Sequence, residues 1–115
     1  MRRLILCAML ALPAAAAAEV WQTLTGAEVG AALADRELTY EDGARQIFRA
    51  GGATTYFVGA GVSEGRWRIG GDEYCSNWPP SAGWSCYALA RDTETGRLRF
   101  AGAGGKLTIG SYSDE

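Results

Sequence analysis

From Glu37 to the C-terminus, apolar and polar residues alternate with a period of two, and turn residues recur about every 8–12 positions. The alternation predicts strands at Leu38–Tyr40, Ala44–Arg49, Thr54–Val58, Gly65–Ile69, Glu73–Ser76, Trp84–Arg91, Leu98–Phe100 and Lys106–Tyr112. Between them stand breakers: Asp42-Gly43, Gly51-Gly52, Gly59-Ala60-Gly61, Gly70-Gly71-Asp72, Pro79-Pro80, Asp92 to Gly96, and Gly102 to Gly105. Asp42-Gly43 is the pattern of a two-residue hairpin turn. The chain therefore reads as mainly β: an antiparallel meander of about seven or eight short strands, arranged as a curved sheet, a sandwich or a small barrel. No long crossover interrupts the run, so consecutive strands are expected to pair.

One helix precedes the strands. Thr25 and Glu28 have the spacing of a capping box, and Val29, Ala32 and Leu33 share one helical face, which predicts a short helix near 25–34. Trp21 and Leu24 precede the cap and are placed to staple the helix entry against the core. Earlier still, Arg2 and Arg3, the apolar run Leu4–Leu12, Pro13 and the alanines 14–18 form the pattern of a secretory signal peptide cleaved before Glu19. The apolar run is too short to span a bilayer, so no transmembrane span is predicted. Cys7 follows Leu6, which a lipid-attachment motif does not tolerate, and leaves with the signal. Residues 1–18 are thus read as signal peptide and 19–115 as one domain, periplasmic or secreted.

Cleavage changes the charge. Loss of Arg2 and Arg3 leaves nine basic against thirteen acidic residues and moves the formal net charge from −2 to −4. That balance argues against nucleic acid as a partner. It also leaves two cysteines, Cys75 and Cys86, and an even count in an oxidising compartment predicts a disulfide. A domain this small has a marginal core, and a staple adds stability.

Catalytic chemistry finds little support. The chain has no His, which removes the usual general base and a common metal ligand. The acid pairs Glu41/Asp42 and Asp72/Glu73 sit in predicted turns, where acids serve conformation. No calcium-loop spacing occurs, and no glycine cluster leads into a helix as a phosphate cradle would, so no metal or cofactor is expected.

Three constellations remain as candidate binding features. Arg66 and Arg68, like Arg97 and Arg99, are spaced i, i+2 and share one side of their strand. They form either an anion-binding surface or a solvated sheet face paired with Glu64, Glu73 or Glu94. Trp67, Tyr56, Tyr74 and Tyr87 are expected in the core, with a pocket in the mouth of a curved sheet as the competing reading. Trp78 and Trp84 flank Pro79-Pro80 inside the predicted disulfide ring. A fixed loop with aromatic anchors makes a contact surface; alternatively one Trp covers the disulfide and the other the end of the core.

The order of features carries a resemblance. A leader is followed by "LTGAEV", "LTYEDGARQIF", "TTYFVGAGVSEGRWRIGGDEYCSNWPP" and "WSCYAL", with Gly65 and Trp67 forming a G-x-W element before Cys75, Trp78 and Cys86. Over roughly Leu24 to Phe100 this resembles the small exported alphaproteobacterial proteins of unknown function, the DUF995-like type. The resemblance implies an exported single β domain and transfers no activity. The expected function is a non-catalytic envelope protein that binds a protein partner or a small ligand. The alternatives are a carboxylate-dependent hydrolase acting on polysaccharide or peptide, and an accessory subunit of an envelope complex.

Overall fold

The computed structural model describes residues 19–115. The signal peptide read over 1–18 lies outside the described residues. Nine strands and one α-helix follow in order: β1 (Trp21–Thr23), α1 (Gly26–Leu33), β2 (Arg36–Tyr40), β3 (Arg45–Phe48), β4 (Ala53–Val58), β5 (Gly61–Gly70), β6 (Glu73–Asn77), β7 (Ser85–Asp92), β8 (Leu98–Ala101) and β9 (Leu107–Tyr112), with a 3₁₀ turn at Ala103–Gly105. Each strand from β2 to β9 pairs antiparallel with the next, and β9 pairs back onto β2, with Leu38 opposite Tyr112. The predicted meander is therefore an up-and-down barrel of eight strands, closed so that its strands leave no long free edge.

β1 is a strand that periodicity did not announce. β7 pairs with β6 through Ser85–Ala88, and its later residues Ala90–Asp92 extend past β6. Trp21–Thr23 fills that edge. Leu24 staples the helix as expected: it is buried in the same cluster as Val29. Trp21 does not. It lies outside the barrel beneath the Arg99 guanidinium, 4.7 Å from the ring centre.

Both halves of the capping box form: the Glu28 amide donates to Thr25 Oγ1 at 3.3 Å, and the Thr25 amide donates to Glu28 Oε1 at 2.9 Å. The helix lies across one end of the barrel. Its Gly26 amide donates to Asp72 Oδ1 at 2.8 Å, and the Tyr112 hydroxyl donates to the Ala32 carbonyl at 2.7 Å. Val29, Ala32 and Leu33 plug that end and meet Leu38, Phe48, Leu89 and Leu98 in a fully apolar layer.

At the opposite end run the β2–β3, β4–β5, β6–β7 and β8–β9 connections. The first differs from the predicted two-residue turn. The Tyr40 carbonyl accepts from the Gly43 amide and the Tyr40 amide donates to the Ala44 carbonyl, enclosing three residues. Gly43 has φ +90°, the left-handed position of a three-residue hairpin.

Candidate functional site

The two ends of the barrel are built differently. Beyond the apolar layer, toward the end without the helix, the lumen opens into a cavity of about 570 Å³. Strand alternation places its lining. Inward positions on β2 and β4 carry Tyr40 and Tyr56, whose rings stack with centroids 5.8 Å apart. Inward positions on β6 and β7 carry Tyr74 and Tyr87, paired across the strands with centroids 5.9 Å apart. In the closed order of eight strands, these two aromatic arcs stand on opposite sides of the lumen. Between them, β5 offers Ser63 and β9 offers Thr108, again opposite one another. Phe100 closes the floor, edge-on to Tyr74 at 5.2 Å and to Tyr40 at 6.0 Å.

A buried polar network underlies one side of this floor. The Tyr40 hydroxyl donates to Gln46 Oε1. Gln46 Nε2 donates to Thr54 Oγ1 at 2.9 Å and to the Tyr74 hydroxyl at 3.0 Å, and Thr54 Oγ1 donates to the Ile47 carbonyl at 2.8 Å. Each buried group is satisfied, so the network holds these rings in fixed positions. Burial pushes the Tyr40 phenol well above its ordinary value, with the neighbouring Tyr74 and Tyr56 phenols adding to the effect. Burial likewise raises Tyr74 to about 12, against the opposing hydrogen bonds from Ser76 and Gln46. Tyr56 is raised by burial as well. The three phenols are neutral donors at neutral pH.

The β6–β7 connection forms part of the mouth. Cys75 and Cys86 face each other across the two strands and are joined by a disulfide, as predicted. Asn77 then shapes the loop: its Nδ2 donates to the Ser81 carbonyl at 3.0 Å and to the Gly83 carbonyl at 2.7 Å. Sequence reasoning passed over Asn77, although Asn commonly ties its own turn. The Trp78 indole folds back over the lumen, edge-on to Tyr56 at 6.0 Å, with its N–H 3.2 Å from Ser76 Oγ. Trp84 points the other way. It is 36% exposed on the outer wall, beneath the Arg68 guanidinium at 3.9 Å.

The candidate residues therefore separate. Trp78 lines the cavity with Tyr56 and Tyr87, which are half-buried and pack against the core cluster while also bordering the cavity. Trp67 and Tyr74 are core residues as expected. Trp67 stands edge-on to Phe48 at 6.0 Å, and its N–H donates to the Arg49 carbonyl at 2.8 Å. Arg66 and Arg68 project outward from β5, with Arg97 and Arg99 three strands away around the barrel, so the four arginines do not form one surface. The expected acidic partners also differ. Arg97 pairs with Glu19, whereas the Glu64 carboxylate accepts from Thr55 at 2.9 Å. Cross-strand register is the reason: Glu64 stands directly opposite Thr55.

The acids considered for catalysis support turns instead. Asp72 accepts from the helix amide of Gly26, and Asp42 accepts from the Ala44 amide at 3.0 Å. Among the described residues no helix is long and apolar enough to cross a membrane. Comparison of the chain with protein-family models, with curated proteins and with solved structures returns no match.

Proposed function

We propose that the chain is an exported, non-catalytic binding protein whose barrel holds one small ligand at the end opposite the helix. The observation that supports this reading is the asymmetry of the lumen. An eight-stranded barrel is wide enough either to be filled by side chains or to hold a small ligand. Here the helix end is filled with Leu, Val and Phe, while the other end keeps about 570 Å³ lined by tyrosines and hydroxyl residues. A volume of that order suits a drug-sized molecule. The loop bearing Trp78 and Pro79 contributes to the mouth, which favours a small ligand over a flat protein partner. Export rests on the N-terminal pattern and agrees with the Cys75–Cys86 disulfide.

Native mass spectrometry of the mature protein, after incubation with a small-molecule extract of bacterial cells, tests this reading. The wild type should retain a small-molecule adduct, and Ser63→Trp, which places an indole in the lumen, should lose it. A wild type that captures nothing, or an adduct that Ser63→Trp keeps in full, overturns the proposal.

A further inference from the structure

Resting on that reading of the site, we infer that the ligand is a planar aromatic molecule bearing an anionic substituent, held between the two tyrosine walls with its charge directed at Lys106. The geometry of the lumen supports the flat shape. Bulky rings occupy opposite arcs, Tyr40 and Tyr56 on one side and Tyr74 and Tyr87 on the other, whereas the positions between the arcs carry the short side chains of Ser63 and Thr108. The free space is thus a slot, longer between Ser63 and Thr108 than between the rings. A flat conjugated ring system fits such a slot with its broad sides toward the two aromatic arcs and its edges toward the two hydroxyls. A puckered molecule of equal volume fits the faces poorly.

The electrostatics support the anionic group. The polar groups lining the slot include the hydroxyls of Tyr56, Tyr87, Ser63, Ser76 and Thr108, each able to donate to an anionic oxygen, and the Lys106 ammonium, which can only donate. The hydrogen bonds at this end tie Tyr40, Gln46, Thr54 and Tyr74 together and do not include Tyr56, Tyr87, Ser63 or Thr108. Glu64 is the acid among the lining residues, and its carboxylate is engaged by Thr55 on the outer face of the strand. Asp42, in the β2–β3 turn at the same end, is near enough to act on the Tyr40 and Tyr56 phenols, which leaves Lys106 as the cation an anionic group would be directed at. Lys106 lies two residues before Thr108 and on the same side of the chain, so it stands above the Thr108 end of the slot. The protein as a whole is acidic, and a cation at this one mouth distinguishes an anionic ligand from a neutral one at the point of entry.

Three probes separate the parts of this inference: 2-naphthoate, which is planar and anionic; 2-naphthamide, planar and neutral; and decahydronaphthalene-2-carboxylate, anionic and puckered. Binding is read by isothermal titration calorimetry of the mature, oxidised protein. Naphthoate should bind about two- to fivefold more tightly than naphthamide, the range expected of one exposed charge pair. It should bind about tenfold or more tightly than the puckered acid, because aromatic contact with the two arcs is lost. Lys106→Gln should remove the advantage of naphthoate over naphthamide. Equal affinity of the naphthoate and naphthamide for the wild type overturns the anionic assignment, and equal affinity of the two acids overturns the planar one. If none of the three binds while Ser63→Trp still loses its natural adduct, the ligand class is wrong and the site stands. Probes that bind Ser63→Trp as well as wild type place their site outside the slot and overturn this inference, whereas a natural adduct that Ser63→Trp keeps in full overturns the site itself.

Discussion

Trp78 lies directly over Gly65: a Cβ on Gly65 would come within 2.6 Å of the indole ring. The G-x-W element thus has a different job for each member. Trp67 packs the core, and Gly65 leaves room two positions earlier for a tryptophan from the next strand's end. Because the Asn77 carbonyl oxygen would also stand 2.7 Å from that Cβ, Gly65→Ala should both displace Trp78 and strain the end of the β5–β6 pairing, at a cost of about 1–3 kcal/mol or more, the usual range for overpacking. A urea melt should show the loss, and collisional quenching of tryptophan fluorescence should increase. An alanine variant as stable as wild type, with unchanged quenching, contradicts this contact.

The exposed and buried tryptophans should respond in opposite ways. Trp67 is 7% exposed and donates to the Arg49 carbonyl, so Trp67→Ala should cost about 3–5 kcal/mol. Trp84 loses only its cation–π contact with Arg68 and part of its surface contact, so Trp84→Ala should cost less than about 1 kcal/mol. Chemical denaturation of the two variants checks the order. A costly Trp84→Ala would mean that the outer indole supports the disulfide loop.

That loop has two restraints. The Cys75–Cys86 bridge spans a sequence separation of 11, for which chain entropy gives about 2–3 kcal/mol. Asn77 adds two hydrogen bonds to loop carbonyls. The double variant Cys75→Ala/Cys86→Ala should therefore lose about 2–3 kcal/mol in urea melts and still hold Trp78 over the mouth. Adding Asn77→Ala should then free the indole, seen as stronger fluorescence quenching. Complete exposure of Trp78 in the cysteine double variant alone would show that the side-chain amide contributes nothing.

The strands were legible because each has an inner and an outer face, and alternation records that directly. All eight barrel strands, the capping box and the disulfide follow from local pattern and composition. Closure was not legible: the pairing of Leu38 with Tyr112 joins the two ends of the meander, and no local pattern reports it. For the same reason a barrel and an open sheet read alike. β1 escaped because a three-residue strand pairing with β7 has too few positions to show a period. The cavity escaped for a different reason. Tyr56, Tyr74 and Tyr87 alternate just as Trp67 does, and only depth along the barrel decides whether a ring is packed on all sides or borders empty space.

Alkaline titration should expose the buried phenols. Tyr40 and Tyr74 have folded-state values raised above those of an unfolded tyrosine, with Tyr74 at about 12. A raised value means the folded protein holds the proton more tightly. The contribution is fully present below about pH 10 and is lost as pH rises from there toward 12. Absorbance at 295 nm should show part of the five-tyrosine signal ionising only with unfolding. Tyr74→Phe should reduce the loss of stability between pH 9 and 11.5, measured by urea melts. Equal pH dependence in that variant and the wild type would show that Tyr74 is not the group responsible.

Gln46 ties Tyr40, Thr54 and Tyr74 into one unit at the cavity floor, and it is 4% exposed. Removing one member of such a unit leaves its partners buried and unpaired, at about 1–3 kcal/mol for each stranded group. Gln46→Leu strands the Tyr40 proton and withdraws the donor to Tyr74, and Tyr40→Phe strands the Gln46 carbonyl oxygen. Once either has been made, the second change has less left to break. The double variant Tyr40→Phe/Gln46→Leu should therefore cost about 0.5–3 kcal/mol less than the sum of the two single variants. Chemical denaturation of the four proteins in the cycle measures this coupling. Simple additivity would mean that the two side chains exchange their bond for water from the open cavity, and the floor would then be wet rather than sealed.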